Sequence, residues 1–297
     1  MENIQLNKTE STNNFVFSVK EKFTDKFIET APNVKLYVKD YGTGAPVILI
    51  HGWPLSNEMW EYQIENLVAN NYRVITYDRR GFGKSSQPWN GYDYDTLTDD
   101  LKSIIDQMEL TNITLVGFSM GGGEVVRYFS RYAGQNVSKA VLVSSIIPYL
   151  AKSDDNPDGR TKEKNEATQQ AIMEDRIGFL DGFGKNFFGV GFINNVISSP
   201  LLEYYRMLAS FASAHATTEC AKSFSGADFR KEVLTIKVPT LIIHGNADKI
   251  VPIEISSEKT AQLIANNTFI IYDEAPHGLF YTDKDKLNSD LLEFLNS

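Results

Sequence analysis

Gly117-Phe118-Ser119-Met120-Gly121 stands directly after the apolar, β-branched run Ile113-Thr114-Leu115-Val116. A short buried run that ends in Gly-x-Ser-x-Gly predicts a strand, a sharp turn and the start of a helix, the arrangement called a nucleophile elbow. The glycines leave room for a strained serine backbone, and the free N–H groups of the following helix favour a developing negative charge. Because a glycine-rich turn can also produce this pattern, the prediction depends on partners elsewhere in the chain.

The composition is typical of a globular chain with room for one large α/β domain. The chain has 297 residues, of which 42% are hydrophobic and 23% are charged. A net charge of −9 argues against nucleic acid or an anionic membrane surface as the main partner. The single cysteine, Cys220, excludes an internal disulfide and a cysteine-based zinc cluster. Since no secretory leader and no bilayer-spanning apolar run are visible, we predict a cytoplasmic protein.

Strand and helix patterns alternate along most of the chain. Short apolar or alternating runs predict strands at 34–39, 47–50, 73–77, 113–116, 140–143, 240–243 and 268–272. The first of these alternates between apolar and polar residues, which predicts a half-exposed strand. Apolar residues at helical spacing lie between the strands and after the last one. This order predicts an α/β fold with a mostly parallel sheet and helices on both faces.

Two segments depart from this alternation. Residues 1–22 are polar and have no convincing period, so we predict a flexible N-terminal extension before a domain that spans 23–297. Residues 148–225 follow the strand at 140–143 and contain no strand pattern. Within them, 161–176 and 201–214 are predicted to be helical, with a Phe- and Gly-rich stretch between. We therefore predict a helical cap at about 148–225.

A serine nucleophile needs a base, and in this type of fold the order along the chain is serine, acid, histidine. His277 alone follows the last predicted strand, whereas His215 lies in the predicted cap and His244 precedes the acid loop. Asp248 lies in the loop after the preceding strand, where it would accept the Nδ1–H of His277 and hold its tautomer. The sequence therefore predicts a catalytic triad of Ser119, Asp248 and His277.

Alternative roles exist for several of these residues. Asp248 could instead cap the helix that follows it, and the neighbouring pair Asp273-Glu274 is predicted to be a solvated turn. In Asp78-Arg79-Arg80-Gly81-Phe82-Gly83-Lys84-Ser85 the Gly-Lys-Ser sequence lacks the earlier glycine of a phosphate-binding loop, so an ionic turn is predicted. Glu124 and Asp99-Asp100 are predicted to lie on solvated helix faces. No His, Cys and Asp grouping has metal-ligand spacing.

The oxyanion hole is predicted to use two backbone N–H groups, one from Met120 and one from the loop after an early strand. That loop contains His51-Gly52-Trp53-Pro54, in which Trp53 is the predicted donor because Pro54 has no N–H. His51 precedes the serine at a strand end, so it is predicted to hold the loop rather than to act as the base.

Together with Gly122-Gly123-Glu124, His244-Gly245-Asn246-Ala247-Asp248 and Ala275-Pro276-His277-Gly278, these motifs resemble the α/β-hydrolase fold. More narrowly, they resemble its cofactor-free haloperoxidase (perhydrolase) and aryl esterase branch, over about residues 26–295. The resemblance implies an eight-stranded sheet, with the helical cap inserted after the sixth strand. The sequence departs from the family pattern in two places, the N-terminal extension and the cap. The cap is the most divergent part of the chain.

The resemblance implies hydrolysis of small carboxylic esters, with a side activity that makes peracids from a carboxylic acid and hydrogen peroxide. It implies no metal or cofactor, possible assembly into a homo-oligomer, and substrate contacts from Trp53, Pro54, Phe118 and Ile250. Pro54 restricts the backbone of Trp53, so the Trp53 carbonyl could accept a hydrogen bond from the peroxide.

Other functions of the same fold remain open on the sequence. Epoxide hydrolases and haloalkane dehalogenases use an aspartate nucleophile, so Ser119 excludes them as the sequence stands. A carbon–carbon bond hydrolase or a lactonase would keep the serine triad and would differ mainly in the cap. A non-catalytic ligand sensor is a further alternative, against which an intact triad argues.

Overall fold

An eight-stranded sheet organises this computed structural model, which describes residues 23–191 and 196–297. The predicted extension, 1–22, and residues 192–195 of the predicted cap lie outside these ranges. The strands are β1 (Phe23–Ala31), β2 (Val34–Tyr41), β3 (Ala45–Ile50), β4 (Tyr72–Tyr77), β5 (Ile113–Phe118), β6 (Val137–Val143), β7 (Thr240–Gly245) and β8 (Asn267–Tyr272). Their spatial order is β1-β2-β4-β3-β5-β6-β7-β8.

Strands β3 to β8 pair in parallel, whereas β2 is antiparallel to both of its neighbours, β1 and β4. The mostly parallel sheet is therefore confirmed. The prediction of a half-exposed strand at 34–39 is wrong, because side chains outside β2, among them Phe27 of β1 and Glu58, pack against its polar face. Tyr37 and Lys39 are consequently buried. The Tyr37 hydroxyl donates to Asp25 at 2.8 Å, and the Lys39 ammonium lies 2.6 Å from Glu58.

Side chains of the central strands alternate between two hydrophobic layers, one on each face of the sheet. In β3, Ile48 and Ile50 belong to one layer, and Val47 and Leu49 belong to the other. Successive side chains of a strand point to opposite faces of the sheet, which explains the alternation between layers. Because both faces are buried, the sequence of these strands is a continuous apolar run.

The helices occupy the connections between strands. They are α1 (Glu61–Ala69), α2 (Tyr94–Gln107), α3 (Gly121–Tyr132), α4 (Lys162–Phe187), α5 (Ser199–Ser210), α6 (Ala214–Gly226), α7 (Ser257–Leu263), α8 (Leu279–Thr282) and α9 (Lys284–Asn296). Apolar residues of α2, α3 and α7 join one hydrophobic layer, and those of α1 and α9 join the other. No helix in the described ranges has the length and apolar character needed to cross a membrane.

Three helices, α4 to α6, lie between β6 and β7 and form the inserted cap. Helix α4 continues through most of the Phe-rich stretch, with a break at Asp175, where φ is −147° and ψ is 84°. The prediction of one helix over 201–214 is wrong in its bounds. Helix α5 ends at Ser210, and Ser213 starts α6 by accepting the N–H of Ala216 with its hydroxyl at 2.9 Å.

Candidate active site

Ser119 occupies a sharp turn between β5 and α3. Its φ of 52° lies in the left-handed region, which is strained for a serine. The turn brings the chain back so closely that a Cβ on Gly117 would lie 2.6 Å from the carbonyl oxygen of Gly121. Only glycine fits at that position, which explains the first glycine of the motif. The Ser119 N–H donates to the Val143 carbonyl at 2.9 Å and ties the turn to β6.

The structure brings Ser119, His277 and Asp248 together in one hydrogen-bonded chain. His277 Nε2 lies 3.0 Å from Ser119 Oγ, and His277 Nδ1 lies 2.5 Å from Asp248 Oδ2. All three residues are buried, and they follow β5, β7 and β8 at the carboxyl edge of the sheet. The parallel order of these strands places loops that are far apart in the sequence at the same edge. This arrangement can move a proton from the serine hydroxyl to the imidazole.

The Asp248 carboxylate accepts four hydrogen bonds. Its Oδ1 accepts the backbone N–H groups of Ile250 and Val251, each at 2.8 Å. Its Oδ2 lies close to His277 and to a second histidine, His244, at 3.1 Å. Burial by itself would raise the pKa of the Asp248 carboxyl, but the charge of His277 and hydrogen bonds from both histidines outweigh it. Together they hold that pKa well below its usual range.

His244 is a residue of the site that the sequence analysis did not assign. Its Nε2 faces two acceptors, Asp248 Oδ2 and the Val251 carbonyl at 2.9 Å, so this nitrogen carries the proton. Its Nδ1 lies 2.7 Å from Ser257 Oγ and accepts from that hydroxyl. The signal in the sequence was a histidine at the end of a buried strand, four positions before the acid.

The loop that contains Trp53 passes directly over the elbow. A Cβ on Gly52 would lie 2.5 Å from the Phe118 ring and 3.1 Å from Ser119 Cβ, so the close approach depends on glycine. Within the described ranges, the backbone N–H groups of Trp53 and Met120 have no acceptor. The Trp53 carbonyl likewise accepts no hydrogen bond from these residues, and the Trp53–Pro54 peptide bond is cis. Two free donors beside Ser119 fit the predicted oxyanion hole.

A buried ion pair holds this loop from behind. Arg79 Nε donates to Glu124 Oε1 at 2.7 Å, and Arg79 Nη2 donates to the His51 carbonyl at 2.8 Å. The Tyr77 hydroxyl donates to the other Glu124 oxygen, also at 2.7 Å. His51 Nε2 accepts the Arg79 N–H at 3.0 Å, and burial followed by the charge of Arg79 lowers the pKa of His51 well below its usual value. The contacts therefore support a structural role for His51.

Two carboxylates predicted to be solvated are instead buried. Glu124 is fully buried against Arg79, and Asp100 forms two hydrogen bonds with Arg80, at 2.6 and 2.7 Å. Both arginines come from the ionic turn that follows β4. The prediction was wrong because helical spacing does not show that a distant turn folds onto these helix faces. Asp99 is more exposed, and it pairs with Arg131 at 2.6 Å.

A cavity with about 330 Å³ of empty space, part of it open to solvent, contains Ser119 and His277. Its other walls come mainly from apolar side chains of the loops and the cap: Trp53, Ile146, Leu150, Phe183, Phe224, Ile250 and Val251. The Trp53 ring lies 5.2 Å from that of Phe183 and 5.5 Å from that of Phe224. The cap therefore closes over the serine through aromatic contacts.

The four predicted substrate-contacting residues occupy different places. Trp53 and Ile250 line the cavity around Ser119. Pro54 lines a second, apolar cavity between its own loop and helices α4 and α5. Phe118 is buried behind the imidazole of His277, with ring centres 5.0 Å apart. For Pro54 and Phe118, direct contact with substrate stays a prediction.

The remaining candidates from the sequence lie away from the serine. His215 stacks on Trp89 with ring centres 3.8 Å apart, and its Nε2 lies 2.7 Å from the Trp89 carbonyl oxygen. Asp273 and Glu274 are exposed, as expected for a solvated turn. Asp273 accepts a hydrogen bond from the Asn246 side chain at 2.8 Å.

Comparison with known proteins agrees with this geometry. The model of the α/β-hydrolase fold family matches residues 45–284. A non-heme chloroperoxidase from Kitasatospora aureofaciens is 38% identical, covering 90% of this chain and 98% of the relative. A bifunctional esterase/perhydrolase from Acinetobacter calcoaceticus is 36% identical over 91% of this chain and 99% of the relative. The crystal structure of a bromoperoxidase from Bacillus anthracis superposes with a TM-score of 0.89 over 92% of this chain and 100% of that one. The two sequences are 46% identical. The chain therefore belongs to the α/β-hydrolase fold family, in the branch that contains non-heme haloperoxidases and esterases.

Proposed function

We propose that this protein hydrolyses small carboxylic esters through an acyl-serine intermediate, and that hydrogen peroxide can replace water in the second step. The observation that carries the proposal is the hydrogen-bonded chain from Ser119 through His277 to Asp248, of which Ser119 and His277 line one cavity. A relative of 36% identity that is named an esterase and perhydrolase supports both activities.

In the first step, Ser119 Oγ attacks the ester carbonyl while His277 Nε2 takes its proton. Asp248 holds the proton of His277 on Nδ1 and stabilises the imidazolium that forms. The carbonyl oxygen becomes an oxyanion, which the N–H groups of Trp53 and Met120 stabilise because both are free to donate. The imidazolium then returns the proton to the leaving alcohol, and the acyl-serine forms.

In the second step, the incoming nucleophile loses a proton to His277 Nε2 and attacks the acyl carbonyl. Water gives the carboxylic acid, and hydrogen peroxide gives the peracid. In both cases the bond to Ser119 Oγ breaks, and the serine recovers its proton from His277. The free Trp53 carbonyl is our candidate acceptor for the second O–H of the peroxide, with Pro54 limiting how that backbone can turn. Cytoplasmic localisation and assembly into a homo-oligomer stay predictions.

The test is a panel of p-nitrophenyl esters of graded acyl length, assayed with and without hydrogen peroxide, together with labelling by a serine-directed phosphonate. Ser119→Ala should abolish hydrolysis, peracid formation and labelling together. Ser130→Ala is the matched control, since this exposed serine lies on the helix that follows the elbow. Hydrolysis or labelling that survives in Ser119→Ala would refute the proposal.

A further inference from the structure

Arg160, contributed by the segment between β6 and the cap helices, lines the cavity that contains Ser119 and His277. Backbone contacts fix its position. Its N–H donates to the Leu150 carbonyl at 2.7 Å, and its own carbonyl accepts the N–H of Lys152 at 2.8 Å. The residue is therefore held at the cavity by a short paired segment rather than by a free loop.

The guanidinium of Arg160 has no carboxylate within 4.0 Å among the described residues. Its side chain makes one long hydrogen bond there, from Nη2 to Thr168 Oγ1 at 3.3 Å. By contrast, Arg73 and Arg80 each donate two hydrogen bonds to an aspartate. Arg160 is also only partly exposed, and burial lowers its pKa. A half-buried cation with most of its five donors unused is costly unless an anion pairs with it.

The surroundings make this charge unusual. Besides Ser119, the cavity walls within the described ranges contain two ionisable side chains, Arg160 and His277, and no carboxylate. The other lining residues are apolar or aromatic. Because the chain as a whole carries a net charge of −9, a cation in this cavity does not reflect a general excess of basic residues.

We propose that Arg160 binds a carboxylate carried by the substrate away from its reacting carbonyl, so that the preferred substrates are carboxylate-bearing esters. This inference rests on the proposed ester hydrolysis. A guanidinium matches a carboxylate with two parallel hydrogen bonds, and such charge-assisted bonds are about twice as strong as neutral ones. The apolar walls would hold the chain or ring that joins the carboxylate to the ester.

The test compares esters that differ only in a terminal charge. One pair is p-nitrophenyl hydrogen adipate and its uncharged terminal amide, with the carboxylate on the acyl side. The other pair is p-carboxyphenyl butyrate and p-carbamoylphenyl butyrate, with the carboxylate on the alcohol side. In at least one pair, we expect the wild type to prefer the charged ester by roughly 10- to 100-fold in kcat/KM, mainly through a lower KM.

Arg160→Gln should remove this preference, while kcat/KM for the uncharged esters changes by less than about threefold. Arg160→Lys should keep part of the preference, because lysine carries the positive charge but cannot form the two parallel hydrogen bonds of a guanidinium. Arg176→Gln is the matched control: this cap arginine donates to the Ser210 carbonyl, at 3.2 Å, and does not line the cavity. It should keep the wild-type preference.

The inference and the proposed function fail in different ways. If the wild type cleaves the uncharged esters but shows no preference in either pair, or if Arg160→Gln keeps the preference, the inference is wrong and ester hydrolysis stands. If no ester is cleaved, ester hydrolysis is wrong. Calorimetric titration of Ser119→Ala with the charged esters then decides the inference, since binding must weaken by roughly tenfold or more in Ser119→Ala/Arg160→Gln.

Discussion

Replacing Asp248 with asparagine keeps the shape of the side chain and removes its charge. The two backbone donors from Ile250 and Val251 require an oxygen at the Oδ1 position, so the new amide nitrogen must take the place of Oδ2. There it faces His277 Nδ1 and His244 Nε2, which both use Oδ2 as an acceptor. The amide N–H would donate to His277 Nδ1, and the imidazole proton would move to Nε2, opposite the Ser119 hydroxyl.

In that tautomer His277 cannot accept the serine proton, so we expect kcat for ester hydrolysis to fall by about 10⁴-fold. This magnitude comes from the same substitution in serine proteases, where the wrong tautomer is also the cause. It corresponds to about 5.4 kcal/mol of lost transition-state stabilisation. The KM for the ester should change little, because Asp248 lies behind His277 and does not line the cavity.

The assay is kcat and KM for p-nitrophenyl acetate, with circular dichroism to show that Asp248→Asn is folded. Asp273→Asn is the matched control, because Asp273 lies near His277 in the sequence but is exposed and bonded to Asn246. It should retain wild-type kcat. A folded Asp248→Asn variant with kcat within tenfold of the wild type would refute the tautomer argument, and Asp273 would then become the candidate acid.

Four further predictions concern the surroundings of the triad. His244→Gln should lower kcat by up to about tenfold in the same ester assay, since one hydrogen bond to Asp248 Oδ2 is weakened; an unchanged kcat would show that the contact is not used. Pro54→Leu should lower the ratio of peracid formation to ester hydrolysis by roughly threefold to tenfold, and an equal loss of both would limit Pro54 to shaping the loop. Glu124→Leu should reduce the free energy of unfolding in urea by about 3–5 kcal/mol, because it leaves Arg79 buried without its partner; a change under about 1 kcal/mol would contradict this. Because the pKa of Asp248 is lower in the folded than in the unfolded state, its carboxylate stabilises the folded state at pH values above the ordinary carboxyl pKa. This contribution is lost as the pH falls toward the pKa that Asp248 has in the folded state. Between about pH 5 and about pH 3, the Tm of Asp248→Asn should therefore fall less than that of the wild type.

The sequence by itself determined the elements whose signals are local. The Gly-x-Ser-x-Gly motif after an apolar run depends on steric limits within five residues, so it located Ser119 without knowledge of the rest of the fold. Short buried runs predicted the central strands because both faces of a parallel sheet are covered. Asp248 and His277 follow β7 and β8, which are neighbouring parallel strands, so their loops meet at one edge of the sheet within hydrogen-bond reach.

Only the tertiary structure decided which polar side chains meet across long distances in the chain. Glu124 and Arg79 lie 45 positions apart, and nothing in the helical spacing of α3 indicates that the turn after β4 covers that face. The local pattern likewise suggested a half-exposed β2, in which side chains of β1 and of the segment before α1 bury Tyr37 and Lys39. Arg160 carries no signal of its own in the sequence, since a charge in a cap segment is usually solvated. Its place in the cavity results from how the cap folds over the serine, because the free energy of a buried charge depends on the neighbours that the fold supplies.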